Sequence, residues 1–216
     1  MGYQEEYFSS VGGDRYFERN INRQHLPFEV PGLSEKIRMW AAGRSETGSL
    51  CVFGGASGVE AAYFSSVLEN WKVVNVDISH AAIENGRKVF PELTHLVASL
   101  TEKNLVAKTG EFDCVVLAGI LCWVDRSLLS RAIVNIDELV KPGGCLGIYD
   151  FMPPFPRKNA LVHAENVYTF KQDYSKLFEE LGVFRVISKS FSPNLDHSYP
   201  FEDQLVGFSL LEKFSA

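Results

Sequence analysis

The chain has 216 residues, 46% of them hydrophobic and 12% aromatic, with a formal net charge of −6. That is enough apolar material for one domain with a substantial core, burying roughly 70% of the surface its unfolded chain exposes. The acidic balance excludes a broad nucleic-acid footprint, which needs clustered Lys and Arg, and no apolar run reaches membrane-spanning length.

Residues 1–33 are aromatic and charged, with Tyr3, Tyr7, Phe8 and the pair Gly12-Gly13, and they close on Pro27 and Pro31-Gly32. The segment is too aromatic for a disordered tail and is expected to be a loop-rich cover over a ligand crevice. Tyr16 and Arg19, with Arg23 as a second choice, are candidates to hold a ligand carboxylate, because the guanidinium fork bonds a carboxylate bidentately. Solvated arginines on an amphipathic turn fit the spacing equally well. Ser34 to Ala42 reads as a helix with Ser34 as N-cap and Leu33, Ile37 and Trp40 on one face.

The organising stretch is Leu50 to Asp77. The strand-like run Leu50-Cys51-Val52-Phe53 meets the turn Gly54-Gly55-Ala56-Ser57-Gly58, helical spacing follows from Val59, and a second apolar run, Val73 to Val76, ends at Asp77. This is the strand, glycine loop, helix, strand and acid of a doubly wound nucleotide-binding sheet. Free N–H groups at the helix start face the crevice. Asp77 stands about 20 residues past the loop, where an acid at a strand tip bonds a ribose diol, and Ile78 follows it into the site. An ordinary strand-to-helix turn with a capping acid is the structural alternative. The dinucleotide fingerprint would place its last glycine where Val59 stands. The spacing therefore fits S-adenosylmethionine, which has no pyrophosphate, better than NAD.

Ser79 opens a further helix as N-cap candidate, stopped by Pro91. Leu93 to Ala98 is a third strand that delivers Ser99 and Leu100 to flank an adenine. Phe112 to Leu117 is a nearly continuous apolar run, as in a central parallel strand. It ends at Ala118, with Trp123 placed to stack near a positive sulfonium or, alternatively, to fill the core. Asp125 to Val140 is an amphipathic helix, and Cys145 to Tyr149 a fifth strand leading to Asp150. Residues 151–172 read as a long loop, hence an acceptor lid. A helix over Asp173 to Leu181 and strands over Val183 to Ser190 and Leu205 to Phe214 complete the chain. Cys51, Cys114, Cys122 and Cys145 lack paired metal spacing, and three of them lie in strands. They read as reduced core thiols of a cytoplasmic protein. MGYQEEYFSS has no signal-peptide core.

The motifs VFGGASG, VVNVDIS, FDCVVLAGILCWV and LVKPGGCLGIYDF together resemble the class I S-adenosylmethionine-dependent methyltransferases over almost the whole chain. GGDRYFERN, YTFKQDYSKLF and EDQLVGFSLLEK are similar to methylases associated with pseudaminic acid and surface-sugar biosynthesis. The resemblance implies S-adenosylmethionine as cofactor and Gly54, Gly55, Ala56 and Gly58 as its loop. It also implies a small-molecule acceptor such as a sugar or sugar-nucleotide. Val52 stands where the family commonly has an acid, Ala56 replaces its middle glycine, and no His accompanies Trp123. Carbonyls near Gly54 and Ala118 would then hold the methionine amine.

The expected architecture is a single α/β domain, a doubly wound Rossmann-like seven-stranded sheet, mostly parallel with an antiparallel final pair. The expected reaction moves a methyl group to an oxygen or nitrogen. His163, His197 and Asp150 are the base candidates, each following a strand on the acceptor side, with a surface role as the alternative for the histidines. A non-catalytic S-adenosylmethionine-binding module and an NAD-linked oxidoreductase are the rival functions.

Overall fold

The computed structural model describes residues 2–21, 32–44, 46–193, 203 and 205–215. A seven-stranded sheet runs through it in the order β3-β2-β1-β4-β5-β9-β8. Its strands are β1 (Gly48–Phe53), β2 (Trp71–Asp77), β3 (Thr94–Val97), β4 (Phe112–Ala118), β5 (Val140–Phe151), β8 (Phe184–Pro193) and β9 (Leu205–Lys213). The first five strands pair in parallel, β9 runs antiparallel to β5, and β8 antiparallel to β9. The expected α/β sheet is therefore present, with β9 running against both of its neighbours, β5 and β8.

Strand alternation builds two apolar layers. Leu50 and Val52 of β1 join Cys114 and Val116 of β4 on one face. They pack against Leu33, Ile37 and Ala41 of α3 (Leu33–Ala42) and Ala61 and Phe64 of α4 (Val59–Val67). Cys51 and Phe53 point the other way, with Val115 and Leu117, onto Ala132, Ile136 and Leu139 of α7 (Leu129–Leu139). Phe178 of α8 (Ser175–Glu180) closes the same layer. Helix α5 (His80–Val89) lies on β2 and β3. The four cysteines are buried and unpaired.

Several local expectations are corrected. The amino-terminal segment is helical through Asn20, as α1 (Tyr3–Tyr7), a π-helical turn (Phe8–Gly12) and α2 (Gly13–Asn20). Gly12 and Gly13 are close-approach points, since a Cβ on Gly13 would lie 3.0 Å from the Phe8 carbonyl and 3.2 Å from Ile78. Residues 22–31, with Arg23, Pro27 and Pro31, lie outside the described residues. Helix α3 is capped by Gly32 at φ 98°, not by Ser34, which lies inside it.

A short helix α6 (Leu105–Thr109), unmarked in the sequence, precedes β4. Residues 151–172 contain a hairpin of β6 (Arg157–Ala160) and β7 (Tyr168–Lys171), so the expected long loop carries a short ladder within it. The β6 sequence RKNA carries no apolar alternation, which is why it reads as loop.

Candidate functional site

The carboxyl ends of β1 and β4 mark the point where successive strands leave in opposite directions, and a crevice opens there. Gly54 leaves β1 at φ 77°, and a Cβ on it would lie 2.1 Å from Ile120 and 2.8 Å from the Ala118 carbonyl. Only glycine permits the two strand ends to approach so closely. Ala56 also adopts a left-handed conformation, at φ 47°, which costs about 1–2 kcal/mol for a residue with a Cβ.

Two polar side chains hold Ala56 there. Its N–H donates to Asp77 Oδ2 at 2.8 Å, and Asn75 Nδ2 donates to its carbonyl at 3.0 Å. Asn75 Nδ2 also lies 3.2 Å from His95 Nδ1, while His95 Nε2 lies 3.0 Å from the Phe90 carbonyl. A carbonyl can only accept, so Nε2 carries the proton and Nδ1 accepts from Asn75. His95 thus has a structural duty, and Asn75 was missed. Its signal is a polar residue at the centre of the apolar run VVNV, fully buried.

Asp77 Oδ1 accepts from the Ser79 N–H at 2.9 Å. Burial raises the Asp77 pKa, the amides of Ser79, Ala56 and Ile78 pull it back, and Asp14 raises it. A carboxylate offers about four lone-pair sites, so capacity for a ligand hydroxyl remains. Gly58 does not line the crevice. It sits behind the loop and starts α4, its carbonyl accepting from Ala62 at 2.8 Å.

The crevice is a cavity of about 480 Å³, and it brings together Tyr16, Gly54, Gly55, Ala56, Asp77 and Ile78 with Ser99, Leu100, Ala118, Trp123 and Asp150. Trp123 packs edge-on against Phe8 and Tyr16, ring centroids 5.4 and 5.8 Å away. The amino-terminal helices close one side. Ser99 Oγ donates to Glu5 at 2.7 Å, and Asp14 accepts from Ser79 Oγ at 2.6 Å and from the Ala81 N–H at 3.0 Å. Gln4 Nε2 donates to the carbonyls of Trp123 (2.6 Å) and Tyr168 (2.9 Å), and its Oε1 accepts from the Tyr168 N–H at 2.9 Å. One buried side chain therefore ties α1 both to the turn after β4 and to the β6–β7 hairpin.

Other expected site residues are not in the cavity. Arg19 is exposed and does not line it, since α2 turns Tyr16 and Asn20, one helical turn apart, toward the opening. His163 is exposed in the connection between β6 and β7 and is likewise absent from the lining. His197, like Arg23, lies outside the described residues. Of the base candidates among the described residues, Asp150 is the one that lines the cavity. Burial pushes its pKa up to about 6, against the pull of the Phe151 amide, the Cys122 thiol and amide and the Leu121 amide. It accepts from the N–H groups of Phe151 at 2.7 Å and Cys122 at 3.1 Å.

Sequence reasoning also missed Glu60 and Tyr149. Burial pushes Glu60 up to about 8, and burial followed by Asp150, Glu60 and Tyr16 pushes Tyr149 up to about 12. Among the described residues the lining holds the carboxyl groups of Glu5, Glu60, Asp77 and Asp150, and no Lys, Arg or His.

Residues 52–146 match the methyltransferase domain family. Among solved structures, the chain is similar to the 1,6-didemethyltoxoflavin-N1-methyltransferase of Burkholderia thailandensis, which holds 1,6-didemethyltoxoflavin and S-adenosylhomocysteine. The TM-score is 0.71 at 16% identity, over 100% of this chain and 92% of that one. The fold is that of S-adenosylmethionine-dependent methyltransferases. The magnesium protoporphyrin IX methyltransferase of Synechocystis PCC 6803, with bound S-adenosylmethionine, has a TM-score of 0.63 at 15% identity, over 99% of this chain and 98% of its own. An uncharacterized protein of Rickettsia prowazekii (strain Madrid E), RP028, is 22% identical over 157 residues. That match takes in 71% of this chain and 62% of the Rickettsia protein's length.

Proposed function

We propose that this chain is an S-adenosylmethionine-dependent methyltransferase that methylates an oxygen or nitrogen of a small molecule. The observation that carries the reading is the cavity itself. A glycine loop held in left-handed geometry, an acid at the tip of β2 and apolar walls meet where the strands diverge. The residues present fit the cofactor. Gly54 leaves open a space that a side chain would fill, Asp77 retains acceptor capacity for a diol, and Ile78 and Leu100 offer apolar faces for a purine. A dinucleotide would bring two phosphates into a lining that holds carboxylates and, among the described residues, no cation to offset them, which Coulomb repulsion disfavours.

When bound, S-adenosylmethionine supplies an electrophilic methyl group. The chain's own residues bind and align: Asp77 orients the ribose, and Tyr16 and Trp123 wall the reacting end. Asp150 is the group placed to take a proton if the acceptor carries one. Alignment of this kind accounts for much of the acceleration in such displacements.

The first helices and residues 151–172 cover the acceptor side of one methyltransferase domain and gate it, with Gln4 as their joint. The acid-only lining favours an uncharged or cationic acceptor. A free sugar therefore suits the surface-sugar resemblance better than a sugar-nucleotide does. No helix among the described residues is long and apolar enough to cross a membrane, in keeping with a cytoplasmic enzyme. The test is incubation with isotopically labelled methyl donor and small-molecule extracts, read by mass spectrometry. Label should appear in a low-molecular-weight product. A protein that binds the donor yet labels nothing would instead be a binding module.

A further inference from the structure

Glu60 is the second residue of α4, immediately beyond the glycine loop, and is only 8% exposed. Its carboxyl lines the cavity and makes no hydrogen bond or ion pair with any described residue. The other three cavity acids are all engaged: Glu5 by Ser99, Asp77 by Ala56 and Ser79, Asp150 by Cys122 and Phe151. A carboxylate taken out of water needs a counter-charge or strong donors.

Among the described residues, the lining around it offers no Lys, Arg or His. Tyr149 on β5 and Tyr16 on α2 are the titratable groups that interact with this corner, Asp150 follows Tyr149 on the same strand, and Asp77 lies across the loop on β2. The start of α4 favours a negative charge but does not neutralise one. Burial therefore leaves Glu60 holding its proton near neutral pH in the empty protein. Val52 cannot act in its place, being fully buried in the layer under α3 and α4.

We propose that Glu60 is the ammonium-recognition group of the cavity, receiving the α-ammonium of the amino-acid tail of S-adenosylmethionine and giving up its own proton as the ligand binds. The inference rests on the methyltransferase reading and adds to it a residue outside the glycine motif. The balance is simple: the carboxyl O–H breaks, the proton leaves to buffer, and a carboxylate–ammonium hydrogen bond forms. The cavity exchanges a buried neutral acid for a buried ion pair, so ligand binding and proton release are one event.

The test is isothermal titration of S-adenosylhomocysteine at pH 7 in two buffers of different ionisation enthalpy. Wild type should release close to one proton per ligand. Glu60→Gln should release almost none and bind about tenfold or more weakly, as expected for losing a charge-assisted bond. 5′-Methylthioadenosine lacks the amino-acid tail, so it should release no proton and bind wild type and variant alike, which also shows that the variant is folded. Undiminished binding of S-adenosylhomocysteine by Glu60→Gln, or an equal loss for 5′-methylthioadenosine, would overturn the proposal. Absence of proton release by wild type that binds normally would overturn it without touching the methyltransferase reading. If wild type fails to bind S-adenosylhomocysteine at all, both readings fall.

Discussion

Replacing Glu60 by Gln keeps the shape of the side chain and removes its ionisation, so it isolates what the buried acid does to the empty protein. In the folded chain Glu60 titrates at about 8, against a reference value of 4.5. The folded state therefore holds a proton that the unfolded state has lost between those two pH values. Stability must fall as pH rises across that window, by about 1.4 kcal/mol per pH unit at its steepest. Between pH 6 and pH 8, where the slope flattens as the folded group begins to ionise, wild type should lose roughly 2 kcal/mol relative to the variant. For a chain of this size that is a change of about 4–8 °C in the difference between their melting temperatures. Asp150 and Asp77 are also shifted upward, but they are common to both proteins and cancel in the comparison. Thermal melts without ligand from pH 5 to pH 9 measure it. A difference between the two proteins that does not change with pH would show that Glu60 is ionised throughout, and the reasoning about its missing partner would fail.

Asp77→Ala should weaken S-adenosylhomocysteine binding by about 1.5–3 kcal/mol, the range for a hydrogen bond to a charged group, as read by titration calorimetry. It should also destabilise the empty protein, because the Ala56 and Ser79 amides lose their acceptor, and an unchanged melting temperature would contradict that part. Asn75→Ala leaves the Ala56 carbonyl and His95 without their shared donor. A loss of about 1–3 kcal/mol in urea unfolding is expected, together with weaker ligand binding through a loosened loop. Gln4→Ala should speed amide exchange in residues 2–21 and 157–171 together, since one side chain joins them. Acceleration confined to one segment would show that they move independently.

The central strands were legible because they are apolar runs punctuated by glycine or acid at their ends. Asp77 and the glycine loop could be placed for the same reason, as both stand where a run of one period stops and another starts. The amino-terminal helices were hidden by Gly12-Gly13, which signals a turn in sequence but here allows helix packing. The β6–β7 hairpin was hidden because its stability comes from pairing and from Gln4, both of which are tertiary. His163 shows a simple limit of sequence order: following a strand says nothing about which way a side chain emerges, and this one emerges into solvent. Glu60 was overlooked because an acid in the first turn of a helix is ordinarily an exposed partner of the helix dipole. Only its burial in the fold shows otherwise.

The central claim is that this cavity holds an S-adenosyl ligand, and thermal unfolding with added ligand tests it most directly. S-Adenosylhomocysteine at 100 times its dissociation constant should stabilise the protein by about 2.7 kcal/mol, a rise of roughly 5–10 °C for a chain of this length, while NAD at the same concentration should leave the melting temperature unchanged. A clear rise with NAD and none with S-adenosylhomocysteine would contradict the account.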